Sequence, residues 1–472
     1  MVIIITTIGT VPAFADVPYQ SYNYDYWKNV VPSLAPYQPV RTISGSDLGT
    51  SAFNLPNSLA VDKQGNLYVV DTGNKRVVVL NPDFKLVKII KEFNNHGHKD
   101  TFNGLSGVAI GNDGKIHIAD TANHRIVSLN PDGTLEKTFG AGKSSLFGSN
   151  FVFLPAKVGV DSANRYYVIA NNVTDGIMGF DANGKFYGYY GALKVQLSPA
   201  DRFWRTVSTK AQRSQMQLFI PTEFTSLAID SDNFVYATFT DSTSTQTIRK
   251  INPSGSDVLV NYNATKPICG DLEYRTRGQN SGPSKFVDIT VHEKGIYSAL
   301  DRTRGHVFTY DSEGNLLYIF GAIGDQLGSF KNPVAIANWN NRIYVLDQAR
   351  NQIVVFEPTR YGQLINKAVD FRYDGKEKEA VQCWSDVLKL DSHYELAYVG
   401  IGKSLLSENR NKEAMQYLKE GMDQRDYSVA FRRYRTEWLS ENGMWVTIVV
   451  CGIIAFFVAR SFYRKAKNKR RG

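Results

Sequence analysis

At 472 residues, 43% hydrophobic and 21% charged, the chain is long enough for several folded units and too apolar for a disordered one. Its net charge of +9 does not mark a nucleic-acid binder. The 13 residues Arg460 to Gly472 alone contribute +7, and no basic stripe with interleaved aromatics occurs elsewhere. Three cysteines, Cys269, Cys383 and Cys451, are too few and too far apart for a disulfide framework or a zinc ligand set.

The chain opens on "MVIIITTIGTVPAFADVP", an apolar run followed by Ala13-Phe14-Ala15, an A-x-A pattern that reads as a signal peptide over residues 1–15 with cleavage before Asp16. It lacks a basic residue ahead of a short apolar run, so the start of translation could lie upstream. A Pro- and Tyr-rich segment over 16–38 follows, a poor candidate for any core element.

Between Pro39 and Thr359 one pattern recurs. "LPNSLAVDKQGNLYVVDTGNKRVVVLNPDFKLVKII" (Leu55 to Ile90) aligns without a gap to "LSGVAIGNDGKIHIADTANHRIVSLNPDGTLEKTFG" (Leu105 to Gly140). Weaker copies run from Leu154 to Gly191, Pro221 to Leu259, Phe286 to Gly321 and Asn332 to Thr359. Each copy has short runs of Val, Ile, Tyr and Phe broken by Asp-Gly, Asn-Gly or Gly-Asn, the mark of antiparallel strands joined by tight turns. Four strands per copy at a period of about 50 residues stack radially into a propeller. The sixth copy stops after three strands, and "PVRTISG" (Pro39 to Gly45) supplies the fourth, closing the ring.

The pattern P-x-x-[LV]-A-[VI]-D, then G-N-L-Y-V-x-D-T-x-N-x-R-[IV], then aromatic-Gly, resembles the NHL repeat. Copies one and two match it closely, five and six in part, three and four only in their strands. The resemblance implies a six-bladed β-propeller, a fold whose members include binding scaffolds, lactonases and lyases, so it leaves function open.

Beyond the ring, Ala368, Gly375 and Ala380 realign with Gly402, Asn409 and Ala414 at a spacing of 34, similar to tetratricopeptide (TPR) repeats over 360–440, with Tyr427 to Leu439 as a capping helix. "MWVTIVVCGIIAFFVA" and its flanks form a transmembrane helix over 444–463. Arg460 near its end and the six basic residues behind it place 464–472 in the cytoplasm and everything before the helix outside it.

The polar set Asp120, Asn123 and Arg125 in "IADTANHRI" has counterparts in Asp71, Asn74 and Arg76, in Asp301 with Arg304 and in Asp347 with Asn351; His124 aligns with Lys75, Gln352 and His306. Chemistry rarely needs one set around a whole ring, whereas each blade needs its turn satisfied, so these are expected to be hairpin clasps. Alternate connections in a four-stranded blade share a face, which gathers two long insertions, Ala192 to Phe219 and Asn261 to Lys285, on the clasp side. Arg202, Trp204, Arg205, Tyr262, Asp271, Glu273, Tyr274, Arg275 and Arg277 are the ligand-binding candidates there, suited to a glycan or peptide, although a solvated loop has the same composition. The helical segment and the N-terminus are expected to leave from the opposite face, pointing the insertions away from the membrane.

Four residues back from each first-strand Asp position, Ser58, Gly107, Lys157, Ser226, Asp288 and Val334 should ring the channel mouth. Lys157 and Asp288 are candidate ligand contacts. One carboxylate makes a poor cage for a divalent cation, though Glu223 could join Asp288. His96 and His98 form an H-x-H without an identifiable third ligand. Catalytic residues and cofactors are therefore expected to be none. Two functions remain open: a membrane-anchored binding and assembly protein with protein partners at the membrane surface, and a metal-dependent lactonase-like hydrolase or lyase.

Overall fold

A computed structural model of the chain describes residues 17–191, 223–240, 247–259, 269–278 and 280–469. They form two compact units, residues 1–363 and 364–472.

The first unit is a six-bladed β-propeller followed directly by the start of the helical segment. Blade 1 runs outward through Pro56–Val61, Leu67–Asp71, Arg76–Leu80 and Leu86–Ile90, and blade 2 repeats it from Leu105–Ile110 to Leu135–Phe139. Blade 3 spans Pro155–Val160 to Phe186–Tyr190 and blade 5 spans Phe286–Val291 to Leu316–Phe320. Blade 4 shows three strands among the described residues, Phe224–Ile229, Val235–Phe239 and Ile248–Ile251. In blade 6, Pro333–Trp339, Arg342–Asp347 and Gln352–Pro358 are completed by Tyr37–Ser44, in a register from Gln352 opposite Ser44 to Pro358 opposite Tyr37. The expected closure by the N-terminal strand holds.

Blade interiors are buried on both faces because each sheet lies between two others. Along one strand, Leu67 and Val69 pack with Leu346 and Val355 of blade 6, while Tyr68 and Val70 pack with Ile116 and Ile118 of blade 2. The period of 2 thus serves two different cores, which is why these strands read as continuous apolar runs.

Every innermost strand carries a bulge after its first residue, between Pro56 and Ser58 in blade 1 and between Pro333 and Ala335 in blade 6. That register corrects one position in the channel ring. The extra length of the blade 6 strand, up to Trp339 before an Asn340-Asn341 turn, makes Ala335 rather than Val334 the equivalent of Ser58, opposite Leu346 as Ser58 is opposite Val70. Gly107 is required in the ring, since a Cβ there would lie 2.6 Å from the Ala156 carbonyl oxygen of the next blade.

The Pro- and Tyr-rich segment is more ordered than its composition suggests. Tyr22–Tyr24 and Val30–Pro32 form a hairpin, and Asn23 donates to the Leu317 carbonyl on the outer strand of blade 5 at 3.2 Å. Exposed Tyr26 and Trp27 sit at its turn, which the Asp25 carboxylate closes by accepting from the Asn29 amide at 2.8 Å.

The helical segment has five helices among the described residues: α1 Arg360–Tyr373, α2 Glu377–Leu390, α3 Glu395–Ser407, α4 Asn411–Glu420 and α5 Gln424–Lys469. Gly375 at φ 72° and Asn409 at φ 60°, both left-handed, end α1 and α3. Ala368, Ala380 and Ala414 are fully buried, and a Cβ on Gly402 would lie 2.5 Å from Leu418 Cγ. Capping helix and membrane segment, expected as separate elements, are one continuous 46-residue helix. No proline interrupts the polar stretch between Leu439 and Met444, and Gly443 alone does not break a helix flanked by strong formers. Over Gln424–Arg464 this helix is long and apolar enough to cross a membrane, with mean hydropathy 2.1 in its most apolar window and none of that window buried.

Candidate functional site

The clasp side of the propeller is built from one device repeated with variations. Asp71 ends the second strand of blade 1, where its Oδ1 accepts from the Asn54 amide at 2.7 Å and its Oδ2 from Asn74 at 2.8 Å and Arg76 at 2.6 Å. Asp120 does the same with Asn103, Asn123 and Arg125. Asp301 accepts from the amides of Lys285 and Thr303, and Asp347 from those of Lys331 and Asn332. Each buried carboxylate therefore ties the turn of its blade to the connection entering that blade, which satisfies amides that would otherwise be buried unpaired.

Neighbouring blades are stitched as well: Thr72 donates to the Leu105 carbonyl at 2.7 Å, Thr121 to Pro155 at 2.6 Å, and the Leu55 amide to Asn351 at 3.0 Å. The expectation of hairpin clasps stands, with the added finding that they bond across connections and blades, not only within their own turn.

The registers refine two alignments. The left-handed position after Asp holds Lys75, His124, Gly305 and Asn351, so His124 is equivalent to Asn351 rather than Gln352. His306 falls where blades 1 and 2 place Arg76 and Arg125. In blades 5 and 6 the arginine has moved two residues earlier, to Arg304 and Arg350. Three blades use their arginine to grip an aspartate of the incoming connection: Arg125 with Asp100 at 2.7 Å, Arg350 with Asp325 at 3.2 Å, and Arg304 with Asp271.

That last pair places the insertion-side candidate Asp271. Its carboxylate is buried and also meets Tyr22, Tyr24 at 3.3 Å and His306 at 3.2 Å. Burial works to raise its pKa, but the hydrogen bond and charge of His306, the charge of Arg304 and the hydrogen bond from Tyr22 outweigh it and hold the carboxyl at about 2. Burial, with the charge of Asp271 adding to it, pushes the Tyr24 phenol up to about 12 and Tyr22 higher still. Glu273, Tyr274, Arg275 and Arg277 are exposed beyond it. Arg202, Trp204, Arg205 and Tyr262 lie outside the described residues.

At the channel mouth, Lys157 and Asp288 meet at 3.3 Å, Ser226 donates to the same carboxylate oxygen, and the Ile336 amide donates to the other at 2.8 Å. Glu223 is exposed while Asp288 is buried, and no bond joins them. His96 and His98 are both exposed on the small hairpin between blades 1 and 2. Sequence spacing could not pair Lys157 with Asp288, since each is one of six equivalent positions and only ring closure brings blades 3 and 5 together. The Asp271 cluster was equally hidden, because it joins residues about 250 apart.

Residues 53–80 match the NHL repeat. This is the clasp-bearing core of blade 1, and blade 2 repeats the amide, asparagine and arginine bonds to its clasp aspartate. No curated protein matches the chain. Among solved structures, it is similar to virginiamycin B lyase from Staphylococcus aureus at 11% identity and TM-score 0.41, over 67% of this chain and 98% of that one. It is similar to a gluconolactonase from Xanthomonas campestris at 11% identity and TM-score 0.42, over 69% and 95%. A protein of unknown function from Bacteroides thetaiotaomicron gives 15% identity and TM-score 0.43, over 67% and 74%. Likeness at this level says nothing about the chemistry of this chain.

Proposed function

We propose that the chain is a membrane-anchored binding and assembly protein, exported and held by α5, with the NHL-type propeller and TPR-like hairpins outside the cytoplasm and the basic tail within it. The observation that carries this reading is the engagement of Asp288. Lys157, Ser226 and the Ile336 amide take up the carboxylate at the channel mouth, where a hydrolase or lyase of the lactonase type would need open oxygen donors for its cation. What remains outward is a rigid ring whose exposed connection carries Glu273, Tyr274, Arg275 and Arg277, polar and aromatic groups suited to a peptide or glycan.

The partners we infer are protein components of a cell-surface assembly, such as a transporter or a glycan-handling system. Photo-cross-linking in intact cells from Tyr274, with the chain at native abundance, should give discrete adducts that disappear when residues 368–439 are deleted. Adducts that are absent, or unaffected by the deletion, argue against assembly. Calorimetric binding of a divalent cation that vanishes in Asp288→Ala would instead support the hydrolytic reading.

A further inference from the structure

Blade 5 departs from the repeat at one place, where four donors from three distant stretches of chain converge: the phenols of Tyr22 and Tyr24, the Asp271 carboxylate and the His306 ring. The Tyr22 hydroxyl and Asp271 Oδ1 are hydrogen-bonded, the Tyr24 hydroxyl lies 3.3 Å from the same Oδ1, and His306 Nδ1 stands 3.1 Å from the Tyr22 hydroxyl. Ligands at right angles around an octahedral cation, with bonds of about 2.1 Å, stand about 3.0 Å apart. The Tyr22–His306 and Tyr24–Asp271 separations of 3.1 and 3.3 Å are edges of that size, whereas the Tyr22 hydroxyl stands closer to Asp271 Oδ1 than such an edge and would draw back as the ion enters.

We propose that Tyr22, Tyr24, Asp271 and His306 form a site for ferric iron, with the N-terminal hairpin supplying both phenolates. Charge selects the ion. One carboxylate and two phenolates cancel a charge of three, and phenolate is a hard donor that a trivalent cation holds ionised even where burial favours the neutral phenol. A divalent ion would draw on Asp271 and Asp301, whose donor atoms with His306 lie within 4.8 Å of one another. Asp301, however, already accepts two amides on one oxygen and the Arg304 amide at 3.2 Å on the other, as the clasp of its blade.

Arg304 fits beside the ion. Its side chain is fixed by donating to the Gly282 carbonyl at 2.8 Å and to Ser284 at 3.0 Å, and it contacts Asp271 through Oδ2, leaving Oδ1 toward the phenols. The tyrosines and His306 are only partly buried, which leaves an entry path. Each phenol gives up its proton on binding the ion, so affinity increases with pH.

The full chain in detergent, titrated with ferric nitrilotriacetate, should develop a visible phenolate-to-iron charge-transfer band saturating at one ion per chain, with release of protons. Tyr22→Phe and Tyr24→Phe should each weaken binding at least tenfold and the double variant should abolish the band, whereas Tyr274→Phe, an exposed phenol three residues from Asp271, should keep it. Melting of each variant without iron separates loss of the site from loss of fold. No band in the parent chain, or a band that survives in the folded double variant, overturns the proposal and leaves the cluster as a strap that pins the N-terminal hairpin.

Discussion

Lys157 and Asp288, on the innermost strands of blades 3 and 5 and 131 residues apart, meet at 3.3 Å across the strand of blade 4 that carries Ser226. Their side chains are 14% and 6% exposed, so the pair is a nearly dry bolt across the channel mouth. A lysine in that position converts the one ring carboxylate from a possible ligand into a structural contact.

Asp288→Ala removes the partner of a partly buried ammonium and leaves Ser226 and the Ile336 amide unpaired, at a cost of about 3 kcal/mol, the low end for a broken buried pair because Lys157 retains some contact with water. Lys157→Met combined with Asp288→Leu should lie closer to the parent, since an apolar pair of similar volume leaves no uncompensated charge. Denaturant midpoints of the parent, Lys157→Met, Asp288→Leu and the double measure the coupling directly. A sum of single effects equal to the double would mean the bolt carries no energy.

The clasps should rank by how many buried donors each group serves. Asp71→Ala strands Arg76, the Asn54 amide and Asn74, and should cost about 3–5 kcal/mol. Asn74→Ala removes one neutral donor and should cost about 1 kcal/mol. His124→Asn keeps a residue that tolerates the left-handed φ of 55° and should change stability by less than either. Equilibrium unfolding of the three variants gives the order.

His117, buried, and His292, partly buried, set an acid limb. Burial holds His117 and His292 at about 4 in the folded protein, whereas in the unfolded chain they titrate near ~6.5. The unfolded state therefore binds more protons between these values, and stability falls as pH drops through that window. His117→Gln and His292→Gln should each flatten the slope of unfolding free energy against pH between 4 and 6.5 relative to the parent. Asp100 acts lower: the Arg125 hydrogen bond holds it at about 2, so its contribution is intact above ~4 and fades as pH falls toward 2. A parent slope unchanged by either histidine substitution would show that both rings take up protons alike in the folded and unfolded chain.

In the helical segment, a Cβ on Gly400 would lie 2.4 Å from Trp384 Nε1 and one on Gly402 2.5 Å from Leu418 Cγ. Alanine gains about 1 kcal/mol of helix propensity over glycine, but overpacking costs about 1–3 kcal/mol. Gly402→Ala, which meets a rigid branch point, should therefore lower the melting of the helical signal in the full chain. Stabilisation would mean that α3 and α4 have room to part.

Val449→Arg with Ile453→Arg tests the span. Each arginine near a membrane midpoint costs about 2.5–3.5 kcal/mol by insertion scales. The parent should stay in the membrane pellet after alkaline carbonate extraction, and the double variant should shift to the supernatant. Equal retention of both would show that something other than α5 holds the chain.

The repeat was legible because propeller geometry imposes the same turn on blades 1, 2, 5 and 6. Asp71 and Asp120 need the same amides, so their neighbours recur as Thr, Asn and Arg and mark the second-to-third-strand turns without any coordinates. Drift in blades 5 and 6 made the same device harder to align. There the arginine sits at Arg304 and Arg350, and which residue occupies the left-handed position is fixed by backbone φ, not by type. A one-residue error at Val334 has the same origin, since a longer strand and a tighter turn in blade 6 displace the count.

Local chemistry accounts for what the sequence alone determined: strand runs, turn residues, the spacing of Ala368 and Gly402, and a stretch apolar enough to cross a bilayer all depend on neighbours within a few dozen residues, and the closing strand was legible only because the sixth copy lacks its fourth strand. Closure of the ring decided the rest. It brought Lys157 to Asp288 and carried Tyr22 and Tyr24 to Asp271 and His306, meetings that depend on which blades end up facing each other. Charge pairing and donor convergence at such distances leave no periodic trace in the chain, because each residue is placed by a different strand and selected only by what stands opposite it.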